Sequence, residues 1–259
     1  RKVIFIDAKT KQSIGEPLVD VKFSGLSWKG NEGIFYSSYE KPKGSELSAK
    51  TDQHRLFFHK LGTKQAEDAI LFGDQEKRRY VGGYVSDDNR YLFISAANST
   101  SGNELYLKDL SVPNSPIVAI HKGFEYDVDV LDNIGTTLFI VTNLKAPNKR
   151  IVTVDVANPG VENWKDLIPE TEQVLNPSTG AGYIFANYMK DAVSVVKQFD
   201  YKGKLIRTIA LPGVGTASGF GGKAKDKELY FLFTNYVTPG TTYTFFPDSG
   251  KSSVYVKPK

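Results

Sequence analysis

The feature that most constrains this chain is a two-part pattern that returns along its whole length. SDDNRYLFIS at 86–95 is a polar turn followed by an apolar, aromatic run. It is echoed by GNEGIFYSS at 30–38, DNIGTTLFIVT at 132–142, STGAGYIFANY at 178–188 and KDKELYFLFT at 225–234. With Phe35, Leu92, Phe139, Ile184 and Tyr230 taken as equivalent anchors, the intervals are 57, 47, 45 and 46 residues, the first holding a longer loop. A second motif keeps the same beat: a strand entering a turn rich in Gly, Asp or Lys, then another apolar stretch. Its copies are KVIFIDAKTK, RLFFHKLGTK, ELYLKDL, RIVTVDV, VKQFDYKGK and TYTFFPDSGK.

A period near 46 residues built from turn, strand and hairpin falls in the range of four-stranded propeller blades. A β-sandwich also has frequent turns, but it has no reason to repeat a two-part unit at this spacing. Composition agrees: the 16 Phe and 14 Tyr set against one Met suit strands, because rings and β-branched chains fit a pleated, half-buried surface. The expected fold is therefore all-β, a propeller of four-stranded antiparallel blades. Six hairpins and five anchor strands place the second half of one blade at 1–22 and about five further blades at 23–259. The ring is expected to be part of a larger one, since propellers protect their edges by closing on whole blades. The irregular stretch EKPKGSELSAKTDQ at 40–53 reads as a loop insertion within one repeat.

Several chemistries are excluded on residue grounds. The chain has no cysteine, so it carries no disulfide, thiol nucleophile or cysteine-based metal site. A cysteine-free chain suits both a reducing cytoplasm and an oxidising periplasm. No apolar run approaches the roughly 20 residues that span a bilayer, and RKVIFIDAKTK is too soon charged for a signal peptide, so no membrane partner is expected. The net charge is +4, and the one basic cluster, Lys77 to Arg79, is short and follows acidic residues, so no nucleic-acid partner is expected.

The nucleophile elbow G-x-S-x-G is absent, so no catalytic residue is assigned. His54 and His59 sit five apart on a strand and so face opposite ways, which argues against a shared metal. Asp87 and Asp88 belong to the repeated turn, where such residues bond their own backbone. Asp127 and Asp129 alternate on a strand, as a cation site or a glycosidase pair would require, but the sequence sets no further catalytic group beside them. GVGTASGFGG and TGAGY lack the lysine and the following helix of phosphate loops and read as turns. No cofactor and no metal are expected.

The chain resembles the propeller of the prolyl oligopeptidase family, bacterial members in particular. The residues that carry the likeness are VKFSGLSWKGNEGIFYSSYEKP at 21–42, TDQHRLFFHKLGTKQAED at 51–68 and RRYVGGYVSDDNRYLFISAANSTSGNELYLKDL at 78–110. TNLKAPNKRIVTVDV at 142–156 and ELYFLFTNYVTPGTTY at 228–243 extend it. The resemblance implies a seven-bladed ring covering the active site of a separate α/β-hydrolase domain of the same protein, restricting entry to short proline-containing peptides. It implies that Phe5 matches an aromatic lining the outer substrate site, although plain blade packing would equally explain that residue. Where some members carry a cysteine near the substrate, this chain has Ile70 and Leu71. The segment holding Glu40, Lys43, Lys50 and Gln53 resembles a loop that gates access. The alternative to this reading is a stand-alone propeller scaffold that binds a protein or peptide.

Overall fold

The computed structural model describes residues 1–39, 52–75 and 77–258. These form two units, Arg1–Val128 and Asp129–Lys259. In the first, β1 (Val3–Ile6) pairs antiparallel with β2 (Ser13–Leu18) as a two-stranded sheet. A four-stranded sheet follows in chain order: β3 (Val21–Lys29), β4 (Gly33–Tyr39), β5 (His54–Lys60) and β6 (Ala69–Phe72). The next is β7 (Tyr80–Val85), β8 (Tyr91–Ala97), β9 (Glu104–Asp109) and β10 (Ile117–His121).

The second unit holds three such sheets. They are β11 (Val128–Ile134, whose first residue lies at the boundary), β12 (Thr137–Thr142), β13 (Arg150–Asp155) and β14 (Lys165–Ile168), then β15 (Leu175–Gly180), β16 (Tyr183–Lys190), β17 (Val193–Phe199) and β18 (Leu205–Thr208). Last come β19 (Thr216–Gly219), β20 (Leu229–Thr234), β21 (Thr241–Phe246) and β22 (Lys251–Val256). One two-stranded and five four-stranded meanders are what the two-part repeat predicts. Among the described residues no helix is long and apolar enough to cross a membrane.

The repeated turns form for the reasons read from sequence. Asp88 Oδ1 accepts from the Ser86 hydroxyl at 2.5 Å and from the Arg90 amide at 3.0 Å, and Asn89 adopts the left-handed region at φ 60°. In TGAGY, Ala181 and Gly182 both have positive φ (52° and 78°) between β15 and β16. This is the two-residue hairpin geometry whose twist matches that of the strands.

Alternation along each middle strand decides the packing. On β4 and β5, Ile34, Tyr36 and Phe57 join Phe5 and Leu18 of the two-stranded sheet and Val21 at the start of β3. The intervening Phe35, Leu56 and Phe58 join Leu92, Ile94 and Tyr106 of the next sheet. Gly83 makes room for this second contact, since a Cβ there would meet the Leu56 methyls at 2.8 and 2.9 Å. In the second unit Ile184, Ala186 and Tyr188 pack with Phe139 and Ile151, while Phe185 between them packs with Phe220, Phe231 and Phe245.

His54 couples two sheets of the first unit by hydrogen bonding. Its Nδ1 accepts the Val81 amide at 2.9 Å, which leaves Nε2 to carry the proton and donate to the Lys22 carbonyl at 3.0 Å. Burial pushes its pKa down from 6.5 to about 4, against a smaller upward pull from the Lys22 carbonyl. Protonating Nδ1 would set two N–H groups against each other. The unfolded chain takes up this proton at higher pH than the folded one, so acid favours unfolding. The contribution is complete above about pH 6.5 and is lost as pH falls towards 4, a span of about 3 kcal/mol. Urea unfolding at pH 7 and pH 4.5 checks this: His54→Gln lowers stability at pH 7 and flattens the acid dependence.

Candidate functional site

The hairpin joining β5 to β6 positions the residues that the family resemblance singles out. Along β6, Ile70 is 44% exposed, whereas Leu71 and Phe72 are half-buried against the Leu56–Leu92 core. Gly73 then turns at φ 90°, a position where a Cβ would lie 2.4 Å from the His54 carbonyl oxygen. Only glycine lets the chain pass so close. Gln53 secures this exit: its Nε2 donates to the carbonyls of Gly73 at 3.2 Å and Asp74 at 2.9 Å. Asp74 also pairs with Arg55 at 3.2 Å.

Ile70 to Gln75 line a crevice of about 460 Å³ together with Tyr106 and Lys122. The Tyr106 ring lies 4.7 Å from that of Phe72. Burial, together with the Glu104 charge, pushes the Tyr106 phenol up to about 12, so it stays a neutral donor. Behind it Glu104 is held by Arg78 at 2.7 Å, in a pair whose side chains are 7% and 14% exposed. Among the described residues the crevice lining combines Ile70, Leu71 and Phe72 with the Asp74 carboxylate and the Lys122 ammonium. This suits an extended apolar chain with polar ends and provides no nucleophile beside a base.

Phe5 lies elsewhere. It is 6% exposed, stacked on His59 at 5.4 Å and edge-on to Trp28 at 6.0 Å. The structure therefore brings Ile70 and Leu71 together and keeps Phe5 in the core between β1 and β5. Of the residues that the resemblance likens to an access loop, Gln53 is placed as above, while Glu40, Lys43 and Lys50 lie outside the described residues. The two histidines are on opposite faces of β5, as their spacing requires. Asp127 accepts the Gly102 amide at 2.8 Å, a turn-holding role. Among the described residues no group of three or more potential metal ligands forms.

Sequence reasoning missed the polar network beneath Phe5. Asp68, whose side chain is 2% exposed, accepts from the Tyr36 hydroxyl at 2.8 Å and lies 2.9 Å from His59 Nδ1. Gln65 reaches back to the main chain of Val19, accepting its amide at 2.8 Å and donating to its carbonyl at 3.0 Å. Burial, and to a lesser degree Asp68, pushes the Tyr36 phenol up. These partners are separated by 9 to 46 residues, so no local motif announces them.

The comparisons with known proteins agree with this architecture. The family model described as the prolyl oligopeptidase N-terminal β-propeller domain matches residues 1–258. The chain belongs to that family of propeller domains. It is 56% identical over 260 residues to a prolyl endopeptidase of Elizabethkingia miricola, covering 100% of this chain and 37% of that protein. It is 29% identical to prolyl oligopeptidase A of Galerina marginata, covering 96% of this chain and 36% of the relative. A solved prolyl endopeptidase structure superposes with a TM-score of 0.90 at 26% identity, over 98% of this chain and 38% of that one. The chain thus spans little more than a third of the length of the curated relatives it matches.

Removing the carboxylate at the centre of the buried network tests its weight. Asp68→Ala leaves the Tyr36 hydroxyl and a His59 ring nitrogen buried without that partner, and is expected to lower stability by about 3 kcal/mol. Asp68→Asn, which keeps an acceptor, costs less. Chemical denaturation of the two variants side by side checks the order.

Proposed function

We propose that this chain is the propeller segment of a proline-specific serine oligopeptidase, covering the active site of an α/β-hydrolase domain in the same protein and admitting only short peptides. The observation that carries this reading is the 56% identity to a prolyl endopeptidase along the full chain. With no nucleophile elbow in its sequence, the chain contributes no catalysis of its own. Its physical role is steric: a rigid cover excludes folded proteins and bulk water, and excluding water strengthens the electrostatics of the chemistry beneath it.

Within this reading Ile70 and Leu71 supply apolar contact to a passing peptide through their exposed flanks. Phe5 acts through packing, by setting β1 against His59 and Trp28. Gln53 anchors the end of the access segment to the Gly73–Asp74 turn. Cytoplasm and periplasm both accommodate this role.

A chimera tests the proposal. The matching segment of the Elizabethkingia miricola prolyl endopeptidase is replaced by this chain, and a chromogenic X-Pro peptide and a large folded protein are offered as substrates. The expected result is peptide cleavage within about tenfold of the parent kcat/KM with the folded protein refused. A correctly folded chimera that cleaves the folded protein, or that has lost peptide cleavage, overturns it. The 259-residue chain alone should show no turnover; hydrolysis by a preparation of 28.7 kDa intact mass would contradict the noncatalytic assignment.

A further inference from the structure

The hairpin from β13 to β14 differs in one respect from its counterpart between β5 and β6. Both carry a single 3-10 turn, Gln65–Glu67 in the first unit and Val161–Asn163 in the second. In the first, Gln65 and Asp68 spend their side chains on Val19, Tyr36 and His59. In the second, the residue after the turn is Trp164 in place of an aspartate, and it lines a crevice of about 450 Å³. Every lining residue comes from the segment between Thr137 and Lys165. The crevice is therefore complete within one sheet.

Pairing register sets its floor. Thr137 lies opposite Asp155, and Thr153 opposite both Phe139 and Lys165, so these side chains share the face on which Phe139 and Ile151 are buried. At this end the apolar face has turned polar. Asp155 is held in place by the Ala157 amide at 2.8 Å and the Thr136 hydroxyl at 2.7 Å. Trp164 is held by its own indole N–H, which donates to the Pro159 carbonyl at 3.0 Å. Its ring is half-buried, yet it enters neither the Phe139 nor the Phe185 cluster of this unit. Polar capacity is left over around it. Among the described residues the side chains of Thr137, Asn158 and Lys165 make no hydrogen bond or ion pair, and Asn163 reaches Glu162 only at 3.5 Å.

We propose that this crevice binds a neutral saccharide made of gluco-configured pyranose rings, such as a β-1,4-linked disaccharide unit. An all-equatorial pyranose turns its axial C–H groups towards its two faces, which suits an indole ring, and sets its hydroxyls around the rim, where each both donates and accepts. Asn158 offers a donor and an acceptor to those hydroxyls, and Asp155 and Glu162 offer acceptors. Charge points the same way: two carboxylates and one ammonium create no field that would hold a phosphate, so nucleotides are poorly matched. The volume falls within the range of about 300–1,000 Å³ common to small-molecule sites. This inference goes beyond the functional reading above and rests on one sheet alone, so neither depends on the other.

The test is an NMR titration of the 259-residue chain with cellobiose and with chitobiose, followed at the indole N–H signals of its two tryptophans. The Trp164 signal is expected to shift saturably with at least one sugar, at a dissociation constant on the order of 1 mM, while the Trp28 signal stays still. Sorbitol, which carries similar hydroxyls without a ring face, shifts neither. Raising salt to about 0.5 M leaves the affinity unchanged, as a neutral ligand requires. Variants are followed at the backbone amides of 155–165. Trp164→Phe keeps a ring and binds within about fivefold of the parent, whereas Trp164→Ala weakens binding at least about tenfold. Should Trp164→Ala fail to fold, Asn158→Ala decides: its side chain has no partner to lose, so Tm holds while binding weakens about threefold. No saturable shift with either sugar up to about 50 mM, an equal response to sorbitol, or affinity that falls with salt overturns the proposal. So does parental affinity in a folded Trp164→Ala or Asn158→Ala variant.

Discussion

Everything in this structure depends on middle strands that are buried on both faces. A sheet in a two-layer protein needs one apolar face; here β4, β5 and β16 carry large apolar side chains on successive residues that enter different packing clusters, and β8 and β12 carry equally continuous buried runs. Phe57 and Phe58 are neighbours in sequence, yet one stacks on Tyr36 towards β1 and the other meets Phe35 on the side of the next sheet. Burial on both faces fixes the register of each strand, because a shift of one residue would exchange the two interfaces. It also explains why small residues such as Gly83 sit where a neighbour's leucine must enter.

Apolar packing alone does not orient these sheets, and the buried polar groups complete the task. His54 satisfies a carbonyl on β3 and an amide on β7 with one neutral ring. Asp68 holds Tyr36 and His59, and Gln65 ties the same hairpin to the segment after β2. Such groups are directional, and leaving one unpartnered costs more than a misplaced methyl, so they specify geometry where hydrophobic contact only favours proximity. The consequence is that the Gly73–Asp74 turn is held by Gln53 and Arg55, and Tyr39 by His54 and the Arg79 carbonyl.

Much of this was legible in the sequence. The turn SDDN, the alternation in RLFFHKL and the beat near 46 residues are local signals, each with a local cause, and together they imply four-stranded repeats. The opposed faces of His54 and His59 follow from strand periodicity. Ile70 and Leu71 were singled out through resemblance, and the structure sets them side by side in one crevice. Phe5 shows where such reasoning stops: an aromatic in an alternating strand faces either a ligand or a core, and its stacking on His59 depends on a residue 54 positions away. The irregular pairing of β3, where residues 22–25 stand opposite Ser37 alone, was invisible for a related reason, since VKFSGLSWK reads as an uninterrupted strand until its pairing with β4 is known.

The sequence by itself determined the class of fold, the number of repeats and the absence of thiol, elbow and phosphate-loop chemistry. These follow from composition, spacing and local turn preference. Only the tertiary structure decided which aromatics are buried and where the chain departs from regular pairing. Those properties depend on what lies across an interface, and each interface joins residues that the sequence holds far apart.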